Sequence, residues 1–98
     1  MYAVLQRYTF DPASSAELNR LIEEACLPLL RRAPGFVAYY WLDSGAGAGA
    51  SLWAFEDQPS AAAALTLVAG QRPARLAALA GSPEVLAGAV RVYGNAGL

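Results

Sequence analysis

The sequence predicts an α+β fold, β-α-β-β-α-β, in which two helices cover one face of a four-stranded antiparallel sheet. Three observations carry this reading. The stretch 34–57, PGFVAYYWLDSGAGAGASLWAFED, has two strongly apolar runs flanking a small-residue connector, the pattern of a β-hairpin. Aromatic and β-branched residues open the chain and return near its end. The segments between these runs carry helix formers bounded by Pro and Gly. Ninety-eight residues make one domain with one two-layer core.

The first strand is expected at 2–10, stopped by Asp11-Pro12. Tyr2, Val4, Gln6, Tyr8 and Phe10 share one face, and Ala3, Leu5, Arg7 and Thr9 the other. Ser14 and Glu17 fit a capping box for a first helix, in which Leu18, Leu21, Ile22, Ala25 and Leu29 form the apolar stripe. Pro28 removes one intrahelical bond and should kink or split that helix before Pro34-Gly35 ends it. The hairpin strands are expected at 36–42 and 51–55. A second helical region should begin near Pro59, capped by Asp57 or Ser60, and end at Gly70; Pro73 restarts a short helix through Ala80. Gly81-Ser82-Pro83 breaks the chain, a fourth strand follows at about 87–93, and 94–98 form a loose tail. This order is the ferredoxin-like split βαβ arrangement.

Within the hairpin, Tyr39 and Trp41 share one face, and Phe36, Ala38, Tyr40 and Leu42 the other; Trp53 and Phe55 separate from Leu52 and Ala54 in the same way. Neither face is polar. A sheet with one wet face alternates apolar and polar residues, so both faces should be covered, and so short a chain covers only one with its own helices. The second cover is expected to be another copy of the chain. Apolar residues at 56% of the chain, against 15% charged, favour the same buried interface.

Composition excludes several function classes. A net charge of −1, with seven scattered Arg and no Lys, gives no basic stripe for nucleic acid. The absence of His removes the commonest metal ligand, haem axial ligand and general base, so neither a metal site nor a cofactor is expected. Cys26, the one cysteine, excludes an intramolecular disulfide, suits a reducing compartment, and reads as a packing residue. No signal peptide or membrane span is visible, and the reading is a cytoplasmic, soluble protein.

PGFVAYYWLDSG, the strand ending in WAFED, the alanine-rich helix and the SPEV segment leading into the last strand resemble the dimeric α/β-barrel superfamily. Within it, the chain is similar to small bacterial proteins related to antibiotic-biosynthesis monooxygenases. The resemblance implies that two ferredoxin-like subunits pack sheet against sheet into a barrel, each keeping an apolar pocket between sheet and helices. It also implies cofactor-independent oxygenation of aromatic polyketide quinols, or haem degradation, as the activities to weigh. The oxygenases carry Asn and Trp at the positions that align, through WAFED, with Ser51 and Phe55, so this chain departs from them at both. The haem degraders place an Asn on the first strand, where this chain has Gln6, and a His on the second helix, where it has none.

The ligand-pocket candidates are therefore Gln6, Tyr8, Tyr40, Ser51, Trp53, Phe55 and Arg91. Gln6 can donate to a ligand carbonyl, the tyrosines are donor-capable aromatics, Trp53 and Phe55 supply a flat wall, and Arg91 can orient an anionic or enolic group. Tyr39 and Trp41 are the dimer-face candidates. Glu56 and Asp57 point opposite ways and form no acid/base dyad. The expected function is a homodimeric barrel binding a small apolar or aromatic ligand, with cofactor-independent oxygenation of a quinol as its chemistry. The alternative is a non-catalytic ligand carrier, stress-associated or structural barrel. Neither nucleic acid nor membrane is expected as a partner.

Overall fold

The computed structural model describes residues 1–97. Its sheet has the order β2-β3-β1-β4, all neighbours antiparallel, built from β1 (Tyr2–Thr9), β2 (Phe36–Asp43), β3 (Ala48–Phe55) and β4 (Glu84–Ala89). The helices are α1 (Ser15–Leu21), continued through a wide turn into α2 (Leu27–Arg31), then α3 (Gln58–Gln71) and α4 (Ala74–Ala80). This is the expected α+β, ferredoxin-like order.

Pairing fixes which side chains share a face. Val4 lies opposite Trp53, Gln6 opposite Ser51, and Tyr39 and Trp41 opposite Trp53 and Ser51. All of these turn toward the helices. Ala3, Leu5 and Arg7 pair with Ala54, Leu52 and Ala50 on the opposite side, beside Tyr40, Leu42 and Leu86. An irregularity between Phe36 and Ala38 inserts Val37, so Phe36 joins the helix side, its ring 6.1 Å from that of Phe55. The sequence reading had grouped Phe36 with Tyr40.

The first helical segment starts differently from expectation. Asp11, not Ser14, is the cap: its Oδ1 accepts from Ala13 N at 3.0 Å and a 3₁₀ turn, Pro12–Ser14, precedes α1. Ser14 makes no side-chain cap, because this extra turn already engages the entry. The break ascribed to Pro28 lies upstream of it as a π turn, Ile22–Cys26, with Leu27 N donating to Ile22 O. A proline ring collides with the carbonyl four residues earlier, here Glu24, and the wider turn accommodates it. α3 begins where expected, with Asp57 accepting from Ser60 N at 2.9 Å, but runs through Gly70 to Gln71.

The core lies between helices and sheet, where Val4, Leu18, Leu30 and Phe55 are almost wholly excluded from water. β4 falls three residues earlier than its expected start at Ala87. Its partner β1 begins at Tyr2, opposite Ala89, so after the Val90 N to Met1 O bond nothing remains for Val92 or Tyr93 to pair with, and both are exposed. Within the expected loose tail, Leu98 lies outside the described residues.

Candidate functional site

A cavity of about 270 Å³ opens between the sheet and the helices. Its floor is the helix-side pleat: Gln6 and Tyr8 from β1, Tyr39 and Trp41 from β2, and Trp53 from β3. Ile22 and Cys26, in the π turn, form one wall. Leu65, Val68 and Arg72 of α3 and its end form another, and Leu76 and Pro83 close the far side. Alternation on three adjacent strands gathers the aromatic rings here, and Gly49 makes room for one of them. A Cβ at Gly49 would stand 2.7 Å from Trp41 Cη2, so the indole lies over bare backbone.

The rings hold one another edge to face. Tyr8 and Trp41 have centroids 5.9 Å apart, and Tyr39 and Trp53 5.7 Å. Each indole also has a polar anchor: Trp53 Nε1 donates to Ser51 Oγ at 2.7 Å, and Trp41 Nε1 donates to Asn19 Oδ1 at 2.6 Å. Asn19 Nδ2 lies 3.4 Å from Asp43 Oδ2, tying α1 to the hairpin end. The Tyr8 hydroxyl donates to Gln6 Oε1 at 2.9 Å, which leaves the Gln6 amide N–H groups free to face a ligand.

Burial raises the pKa of Tyr8, Cys26 and, most strongly, Tyr39; the Arg72 charge opposes the rise at Tyr8 and Cys26. At neutral pH the three are therefore protonated. No Asp or Glu lines the cavity. The site offers hydrogen-bond donors and flat apolar walls but no general base.

Of the candidates read from the sequence, Gln6, Tyr8 and Trp53 come together in the cavity. Ser51 is 2% exposed and its hydroxyl accepts from Trp53; Phe55 is fully buried against Phe36, deeper than the cavity. Tyr40 lies on the other face of the sheet, 61% exposed, and Arg91 stands beyond β4, exposed to solvent. The dimer-face assignment of Tyr39 and Trp41 is corrected: both lie under the helices and line the cavity, and the uncovered face is that of Tyr40, Leu42, Leu52 and Leu86. From Ala38 onward the alternation of β2 agrees with the sequence pattern but its two sides are exchanged, because both are apolar and only long-range packing tells them apart. Asn19, Cys26 and Arg72 were missed as site residues. Asn19 left one signal, an amide in a helix whose other polar residues are mostly charged.

Among the described residues, no group of three or more His, Cys, Asp or Glu is placed to hold a metal, and no helix is long and apolar enough to cross a membrane.

No family model and no curated protein sequence matches the chain. Solved structures do. A Nitrosomonas europaea protein of unknown function, NE2512, superposes with a TM-score of 0.77 at 24% identity, over 96% of this chain and 92% of that one. SnoaB, a cofactor-independent oxygenase from Streptomyces nogalater, gives 0.75 at 19% identity over 94% of each chain. The haem degrader MhuD of Mycobacterium tuberculosis, solved with two haems in its active site, gives 0.73 at 16% identity over 97% of this chain and 100% of that one. The residues here do not suit haem: the chain has no imidazole to serve as its axial ligand. The chain shares the ferredoxin-like fold of the antibiotic-biosynthesis-monooxygenase-like structures.

Proposed function

We propose that this chain forms a homodimeric α/β barrel that takes a small aromatic molecule into the cavity of each protomer, and that its chemistry is oxygenation of an electron-rich quinol without a bound cofactor. The observation that carries the reading is the gathering of Tyr8, Tyr39, Trp41 and Trp53 around one amide, Gln6, in a cavity with no general base. Flat apolar walls suit a fused-ring ligand, and Gln6 can donate to its oxygen. In such a reaction the quinol loses a proton to solvent, its anion gives an electron to dioxygen and joins it as a peroxide at the ring carbon, and the peroxide regains a proton and breaks its O–O bond as the carbon loses its remaining hydrogen, leaving a carbonyl and releasing water. The fold neighbour SnoaB supports this reaction class. Dimerisation is read from the uncovered sheet face, where Tyr40, Leu42, Leu52 and Leu86 form an apolar surface that a second copy would cover. The lone buried Cys26 suits a reducing, cytoplasmic setting.

A carrier without catalysis is the second reading, favoured by a specific observation: Ser51 and Phe55 are engaged in the core and do not line the cavity. Oxygen uptake with an anthrone-type quinol, with no flavin, haem or metal added, separates the two. Turnover supports the oxygenase. Saturable binding without oxygen uptake supports the carrier, and absence of binding refutes both.

A further inference from the structure

We infer that the cavity selects an aromatic monoanion, its ring system among the indoles and phenols and its anionic group held by Arg72 at the rim. This deepens, and rests on, the aromatic-binding reading above. Of the seven arginines, Arg72 alone lines the cavity, and none of the eight carboxylates does. The other ionisable lining groups, Tyr8, Tyr39 and Cys26, are neutral, so the site carries one net positive charge. Its reach is evident in the opposition it offers to the burial effect at both Tyr8 and Cys26.

The neighbouring Arg75 provides the contrast. Its Nε and Nη2 each donate to a Glu17 carboxylate oxygen at 2.8 Å, which neutralises it. Among the described residues Arg72 has no such partner, and its backbone N–H is engaged with Val68 O at 2.8 Å, at the end of α3. A guanidinium beside an apolar, partly enclosed cavity is a fork for a carboxylate or phenolate oxygen. A cationic ligand would meet this charge with no carboxylate to offset it. The lack of a base points the same way: a ligand that arrives ionised needs no proton removed by the protein.

The test compares 2-naphthoate with 2-naphthamide, near-isosteric but differing by one charge, through quenching of tryptophan fluorescence. The unaltered protein should bind the acid about tenfold more tightly. Arg72→Gln should remove that preference, bringing the acid down to the affinity of the amide, whereas Arg75→Gln, outside the lining, should preserve it. Raised salt should narrow the preference, because Arg72 is exposed. Equal binding of acid and amide to the unaltered protein would overturn the charge selection while sparing the aromatic reading. Loss of both ligands in Arg72→Gln would also overturn it, assigning Arg72 to structure. Failure of both compounds to bind the unaltered protein would overturn both readings.

Discussion

Leu52→Glu tests which sheet face meets a second copy. Leu52 lies on β3, opposite Leu5 on one side and Tyr40 on the other, at the middle of the uncovered face. It retains 39% of its accessible surface in the single chain. Fully burying a leucine is worth about 1.5–3 kcal/mol, so covering that remaining share contributes about 0.6–1.2 kcal/mol. A two-fold dimer carries the change in both copies, so Leu52→Ala should weaken dimerisation by about 1.2–2.4 kcal/mol, about eight- to sixtyfold. A carboxylate at the same place would be buried in both copies, with Arg7 its diagonal neighbour on that face as a partial offset, and should weaken it by at least about a hundredfold. The assay is light scattering behind size-exclusion chromatography over a dilution series, with circular dichroism to verify folding. A folded Leu52→Glu protein that dimerises like the unaltered one would refute the placement of the interface. Trp41→Glu distinguishes the faces further: it should damage the cavity and the monomer's stability, because Trp41 lies under the helices.

Phe55→Ala should lower unfolding free energy by about 3–5 kcal/mol in urea titrations, since the ring is fully buried against Phe36. Gly47→Ala should cost more than about 1 kcal/mol by the same assay: its φ is +83°, and a Cβ there would stand 2.5 Å from Phe10 O. Asp57 has its pKa lowered, first by its hydrogen bonds to Ser60, so its contribution to stability is full above the ordinary carboxylate range, about pH 4, and is lost as pH falls through the lower folded value. Asp57→Asn keeps a capping side chain but removes that titration, so its melting temperature should fall less steeply than the parent's on acidification below that range.

Element order was legible because period-two apolar runs and Pro/Gly boundaries are local properties. The hairpin, the Asp57 cap and the Pro73 restart could all be read this way. The facing of the sheet could not, since Tyr39 and Trp41 differ too little in polarity from Tyr40 and Leu42 for a pattern to decide between helices and open surface. The extra residue at Val37 turned Phe36 over for a reason that exists only in the pairing with Phe55. The cap at Asp11 and the early start of β4 likewise depend on where neighbouring elements begin. Gln6, Tyr8 and Trp53 line the cavity because the alternation of β1 and β3, legible locally, turns them to one face of the sheet. Arg72 became part of the site only because the chain turns back over the sheet after α3, and Tyr40 left it because its side of the pleat faces outward.

A crystal structure of the protein grown with saturating 2-naphthoate decides whether the cavity takes an aromatic anion. Density for the ring system is expected between Trp41 and Trp53, within reach of the Gln6 amide, with the carboxylate on Arg72. A cavity without ligand density, or a naphthoate bound elsewhere, would contradict it.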